Sequence, residues 1–191
     1  AQLVQFVVTP YTVGNNGNVR CIGINDTSDI WVEPVSRLEL IPQVDTICSN
    51  DAVSIEITSP TGPTHPVRFS YNVIYDADSI NYTLVGADTM LLEGEVIDDI
   101  LENVSDTAQL VQFVVTPYTV DNNGNVRCIG INDTSDIWVE PSPNVLLIPQ
   151  IDTICSNDAV NIEITSTTRP THPIRFSYNV IYDADSINYT L

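Results

Sequence analysis

Along residues 52–58, Ala-Val-Ser-Ile-Glu-Ile-Thr, apolar and polar side chains alternate one for one, and residues 67–75, Val-Arg-Phe-Ser-Tyr-Asn-Val-Ile-Tyr, extend the same pattern over the longest run in the chain. A period of two puts every second side chain on one face, the signature of a half-buried strand, so the longer run predicts a central strand. Residues 3–8 are rich in β-branched and aromatic side chains without helical spacing and predict another. Gly14-Asn15-Asn16-Gly17-Asn18 then supplies residues that tolerate positive φ, the chemistry of a hairpin connection into a strand at 19–24. Shorter strands are predicted at 30–32, 38–41 and 80–85, with polar turns at 26–29 and 76–79 and a proline-rich loop at 59–66. One stretch has a different period: Val96, Ile97, Ile100, Leu101 and Val104 fall at helical spacing and predict a short helical turn over 97–103. Six to eight strands with turn signals at close intervals predict an all-β chain of Ig-like antiparallel β-sandwich architecture.

The pattern is played twice. Residues 1–34 return as 108–141 with a single change, Gly14 to Asp121, and residues 35–84 return as 142–191, with differences concentrated at 35–39 and at Pro60 and Gly62. Only residues 85–107 occur once. The offset of 107 residues is too long for a solenoid unit and close to one small sandwich, which predicts tandem domains. The Pro-rich stretches around Glu33-Pro34 and Glu140-Pro141 place the boundaries. Residues 1–34 then read as the closing part of a preceding repeat, 35–141 as a complete domain and 142–191 as the opening part of a following repeat. The whole reads as a window on a longer array, its two end pieces packing as separate bodies that need partner strands of their own.

Charge narrows the partners. The formal net charge is −19, from 25 acidic residues against six basic ones, and all six are arginine. Such a chain repels nucleic-acid phosphates and anionic lipid, and no apolar run approaches the length of a membrane span. Without lysine, any covalent staple must use cysteine. Cys21 and Cys128 stand in Arg-Cys-Ile-Gly, Cys48 and Cys155 in Ile-Cys-Ser-Asn; no Cys-x-x-Cys occurs, and His65 and His172 are the only histidines, so zinc is disfavoured and disulfides in an oxidising, extracytoplasmic compartment are expected. Cys48 and Cys128, the two cysteines within 35–141, are the expected pair, closing a loop worth roughly 4–5 kcal/mol in chain entropy. Cys21 and Cys155 would then pair with cysteines outside the window. The rival pairs cross a junction, Cys21 with Cys48 and Cys128 with Cys155.

Catalysis finds no constellation: His65 and His172 sit alone in equivalent Thr-His-Pro loops, and runs such as Asp98-Asp99 ordinarily solvate a face. The chain is read as a non-enzyme without a cofactor, Ca²⁺ being the one candidate ion. Asp76 and Asp78, and Asp26 and Asp29, offer hard oxygen ligands in turns, against the competing reading of ordinary Asx turns. The pattern of Asp, then Ser or Thr, then a small or aliphatic residue marks Thr46, Ser79, Thr89, Thr107, Thr153 and Ser186 as candidate O-glycosylation sites. Asn25, Asn81 and Asn103 head N-glycosylation sequons.

In the order Thr46-Ile47-Cys48-Ser49-Asn50, Phe69-Ser70-Tyr71, the segment 97–103, Val111-Gln112-Phe113-Val114-Val115-Thr116-Pro117, Cys128-Ile129-Gly130 and Val139-Glu140-Pro141, residues 35–141 resemble the PKD-like repeats of long Bacteroidota surface proteins. The shared segments are Ile-x-Asp-x-Leu-x-Asn, Val-x-Phe-x-Val-Thr-Pro, Cys-x-Gly and Val-x-Pro. Here Asp98-Asp99-Ile100 shifts the first slightly, and Asn50 stands where the family often has glycine. The resemblance implies an Ig-like sandwich, export to the cell surface and an adhesive, gliding-related or structural role, with no catalytic residue to carry over; the leading expectation is a structural and adhesive module of an extended, acidic extracellular fibre. The expected partners are neighbouring repeats of the same or identical chains. A carbohydrate-binding array is the alternative, with surface glycans as ligands and Tyr71, Tyr75 and Tyr82 as candidate platform residues, although Tyr71 and Tyr75 share the face of Phe69 and are expected in the core.

Overall fold

The computed structural model describes residues 1–42, 44–149 and 153–182. The first strands are β1 (Gln2–Val8), β2 (Tyr11–Val13), β3 (Val19–Ile22) and β4 (Asp26–Val32). Then come β5 (Glu39–Pro42), β6 (Thr46–Cys48), β7 (Asp51–Ala52), β8 (Ile55–Thr58), β9 (Val67–Ile74), β10 (Ile80–Thr83), β11 (Val96–Ile97) and β12 (Ile100–Asn103). The long β13 (Gln109–Val120) is followed by β14 (Val126–Ile129), β15 (Asp133–Glu140), β16 (Leu146–Pro149) and β17 (Ile162–Thr165). Among the described residues, every regular element is a strand.

Strand β13 is the spine of a closed core. It pairs antiparallel with β15 over residues 109–115, with β14 over 118–120 and, on its other edge, with β9 over 112–119. Strand β6 extends this sheet by running parallel to β15. The change of neighbour from β15 to β14 falls at Pro117, which has no N–H to give a ladder, and Gly130 N donates to its carbonyl at 2.7 Å. Gly130 must be glycine, because a Cβ there would lie 2.3 Å from the Ser36 carbonyl oxygen and 2.9 Å from Pro117 Cγ.

Facing that sheet, β8 carries β5 and β11 while β12 carries β10 and β7, and main-chain bonds from Val53 N to Asp99 O (2.9 Å) and Ile57 N to Glu95 O (3.0 Å) stitch the groups together. Alternate residues of both layers bury one cluster: Ile55 and Ile57 of β8, Phe69 of β9 and Leu101 of β12 meet Val111, Phe113 and Val115 of β13 and Val139 of β15. Each such side chain contributes on the order of 1.5–3 kcal/mol on leaving water. This is an Ig-like β-sandwich with its core between residues 47 and 139.

Three expectations are corrected here. Residues 97–103 are strands β11 and β12, not a helical turn: Ile97, Asp99, Leu101 and Asn103 are all buried while Asp98 and Ile100 are exposed, a period of two that pairing with β8 and β10 selects. The Ile-x-Asp-x-Leu-x-Asn segment is therefore in register, unshifted. Asp26 to Asp29 begin β4 rather than a turn, because each lies across from a residue of β1. Asn50, where the family often has glycine, adopts φ 72°, a conformation that glycine takes freely and asparagine tolerates. The expected hairpin at 14–18 is present between β2 and β3, with Gly17 at φ 77°.

The repeated sequence meets two environments. Phe113 is fully buried and its counterpart Phe6 is 52% exposed; Phe69 is fully buried and its counterpart Phe176 is 43% exposed. Strand β1 pairs with β4 in the register that β13 uses with β15, yet among the described residues no strand equivalent to β9 lies against its other edge. Where β9 spans the Thr116-Pro117 break, β13 stays continuous to Val120; without it, the same sequence divides into β1 and β2.

Candidate functional site

Glu33 stands between the end of strand β4 and Pro34, and its carboxylate is taken by a loop on the far side of that proline. The loop contains Pro60, Pro63 and Pro66, which fix φ and withhold N–H groups, so residues 59–66 cannot continue strand β8. Thr64 N donates to Glu33 Oε2 at 3.0 Å, the Thr64 hydroxyl donates to Oε1, and His65 Nδ1 lies 3.0 Å from the same oxygen. The arrangement recurs one period later. Thr171 N lies 2.9 Å from Glu140 Oε2, the Thr171 hydroxyl donates to Oε1, and His172 Nδ1 lies 3.0 Å from Oε1.

Both glutamates are largely enclosed, with side chains 12% and 10% exposed. Hydrogen bonds from the Thr64 hydroxyl and Thr64 N–H lower the Glu33 pKa to about 2, with His65 adding to them against a smaller opposing push from burial. At Glu140 burial pushes the pKa upward, but the Thr171 hydroxyl, His172 and the Thr171 N–H together outweigh it and leave it lowered. Trp31, Val32, Arg127 and Cys128 line the cleft around Glu33, Thr64 and His65. The cleft around Glu140 and His172 is lined by Cys48, Pro141, Pro173 and Arg175. A further seam joins the parts on either side of Pro141, where Arg169 N donates to Asp106 O at 2.6 Å.

Sequence reasoning read His65 as a solitary loop histidine and missed its partner. No signal singles the pair out, because in a repeat this close nearly every pair of motifs recurs at a fixed separation.

Inside the sandwich, the Ile-x-Asp-x-Leu-x-Asn segment serves two polar networks. Asp99, fully buried, accepts from Tyr71 OH at 2.6 Å, Tyr82 OH at 2.7 Å and Val85 N at 2.7 Å. Burial first, then the hydrogen bond to Asp99, raises the pKa of both phenols. Asn103 Nδ2 donates to the carbonyls of Thr107 and Val139, each at 2.8 Å, tying β12 to the start of β13 and the end of β15. The family model of the PKD-like domain matches residues 45–143, a span that takes in these networks and the core around them.

The chain belongs to the PKD-like domain family.

A search of curated proteins finds no match. PKD-like domains are typically non-catalytic structural modules and usually occur in extracellular or surface proteins. In this PKD-like domain the remaining candidates fall as follows. Cys48 and Cys128 are free and exposed, as are Cys21 and Cys155, so the expected pair is not formed. The register gives the reason: Cys48 lies opposite Glu140, beyond the Gln109 end of β13, and Cys128 lies opposite Thr119 at the other end. Ten residues of strand separate those ends by about 33 Å, far outside disulfide reach.

The candidate calcium ligands are used locally. Asp76 accepts from Asp78 N and Ser79 Oγ, which lowers its pKa, Ser79 contributing most. Asp26 accepts from Thr27 N, and Asp29 accepts across the strands from Gln5. Among the described residues, no group of three or more His, Cys, Asp or Glu side chains is placed to hold a metal. Thr89, Thr107 and Thr153 are exposed, Thr46 and Ser79 half-buried with their hydroxyls on Asp45 and Asp76, and Ser186 lies outside the described residues. Asn103 is 6% exposed, so its sequon is occupied by the fold. Tyr71 is 5% exposed, while Tyr75 and Tyr82 are half-buried and stack on each other at 5.5 Å, which leaves these three no open platform.

Proposed function

We propose that this chain is a run of acidic PKD-like modules in an extended extracellular fibre or stalk, with domains dividing at Pro34 and Pro141 and a structural, adhesive role at the cell surface. The observation that carries this reading is the carboxylate clasp. Glu33 with Thr64 and His65, and Glu140 with Thr171 and His172, make the same contacts across two Pro-marked junctions one period apart. In each clasp the glutamate precedes the Pro-marked junction and its threonine and histidine partners follow it, so the contact crosses from one period into the next. The clasp holds the end of one module's last strand to a loop near the start of the next and restrains their angle. High negative charge then spaces the modules and keeps the array soluble.

The test extends the chain by one period, duplicating residues 35–141, and compares its X-ray scattering with that of a variant carrying Glu→Gln at every clasp glutamate. The parent is expected to scatter as a stiff rod and the variant as a flexible string with a broader distribution of distances. Equal flexibility in the two would overturn the reading.

A further inference from the structure

The two clasp clefts are views of the same kind of joint, and each contains a different cysteine. At the Pro34 joint, Cys128 lines the cleft with Glu33, Thr64 and His65; it belongs to the module that begins there. At the Pro141 joint, Cys48 lines the cleft with Glu140 and His172; it belongs to the module that ends there. Cys48 is held by the sheet, directly opposite Glu140 across the parallel pair of β6 and β15, with Ser49 N bonded to Glu140 O at 3.0 Å. Cys128 is held by β14, its N–H donating to Thr119 Oγ1 at 3.2 Å. Glu33 and Glu140 are the same position of the period. Carrying one joint onto the other by 107 residues therefore brings an Ile-Cys-Ser-Asn cysteine of one module and an Arg-Cys-Ile-Gly cysteine of the next to the same carboxylate.

We propose that the cysteines pair between successive modules: Cys48 forms a disulfide with the cysteine that stands, in the following module, where Cys128 stands in this one. Each joint then carries one covalent staple beside its clasp. The polarity is fixed by the fold, since within one module the two cysteines lie at opposite ends of β13. It is also opposite to Cys21 with Cys48 or Cys128 with Cys155, pairs whose members lie at the outer ends of adjoining modules. In this pairing none of Cys21, Cys48, Cys128 and Cys155 is another's partner, in keeping with all four being free and exposed. The inference rests on the tandem reading above.

The chemistry is thiol–disulfide exchange with a small disulfide as oxidant. One cysteine thiolate attacks the oxidant's S–S bond and expels a thiolate; the second cysteine attacks the mixed disulfide and expels the other. The cysteine S–S bond forms as the oxidant's S–S bond breaks, two electrons pass to the oxidant, and the two cysteine protons end on its two released thiols.

The test uses the 191-residue chain and the chain extended by duplicating residues 35–141, both refolded in a glutathione redox buffer and mapped as peptides without reduction. The shorter chain is expected to keep its four thiols. The extended chain is expected to lose two, with one linkage joining Cys48 of the first full module to the duplicate of Cys128 in the second. Cys48→Ser should abolish that linkage and leave the melting of each sandwich unchanged, because the side chain is exposed. Full thiol reactivity in an extended chain that still scatters as a stiff rod would overturn the disulfide and leave the clasp reading standing. Full reactivity with flexible scattering would overturn both. A linkage between Cys48 and Cys128 of one module, or between Cys128 and Cys155, would show that the polarity drawn from the fold is wrong.

Discussion

His65 Nδ1 lies 3.0 Å from Glu33 Oε1, although Pro34 stands between the two residues in the chain and β4 belongs to a different sheet from β8 and β9, the strands that flank the 59–66 loop. The contact ties the residue that follows β4 to a proline-rich loop. Hydrogen bonds to a carboxylate are stronger than those between neutral groups, and this carboxylate receives them from a backbone N–H and a hydroxyl as well.

The joint should weaken in acid. The Glu33 pKa falls from 4.5 in the open chain to about 2 in the clasp, so protons bind the open state more readily. The stabilisation is complete above the open-chain value and is lost as pH falls from 4.5 toward about 2. Hydrogen exchange at the Thr64 amide, which donates to Glu33, should accelerate over that window relative to its intrinsic rate. Glu33→Gln should remove the pH dependence there. Protection of Thr64 that persists unchanged to pH 2 would contradict this.

Asp99→Ala should destabilise the sandwich by roughly 3 kcal/mol or more, since it leaves the two phenols and the Val85 N–H without their acceptor in a buried site. Tyr82→Phe removes one donor from a half-buried position and should cost about 1–2 kcal/mol. Urea melts of the full chain measure both, and a smaller loss for Asp99→Ala than for Tyr82→Phe would show that the network is not arranged as described.

Phe113→Ala and Phe6→Ala provide an internal control, because the same residue in the same local sequence is fully buried in one copy and 52% exposed in the other. The first should cost about 3–5 kcal/mol and the second under 1 kcal/mol in the 191-residue chain. Equal losses would mean that residues 1–34 are buried in solution.

Gly130→Ala should destabilise by about 1–3 kcal/mol, since its Cβ would meet the Ser36 carbonyl at 2.3 Å and neither backbone can retreat without breaking the Gly130 N to Pro117 O bond. Gly62→Ala, where a Cβ would meet nothing within 4 Å, is the matched substitution and should be nearly silent in a thermal melt.

The sequence by itself determined strands β8 and β9, because alternation at 52–58 and 67–75 admits one periodicity, and it determined the repeat, because identity at an offset of 107 needs no coordinates. It also carried the family, through segments such as Cys-x-Gly whose glycine has a steric reason at Gly130. Residues 97–103 were misread because Val96, Ile97, Ile100, Leu101 and Val104 satisfy a helical period as well as they satisfy nothing else; only the partners β8 and β10, distant in sequence, made Asp99 and Asn103 the buried members of a strand. The cysteines were misread for a related reason. Proximity in a sandwich is set by which end of a strand a residue occupies, and β13 is long enough to carry Cys48 and Cys128 to opposite ends of one domain. Tertiary structure alone joined Glu33 to Thr64 and His65, because hydrogen bonding between a strand end and a loop depends on where two backbones cross, and the residues that meet there carry no periodicity to announce it.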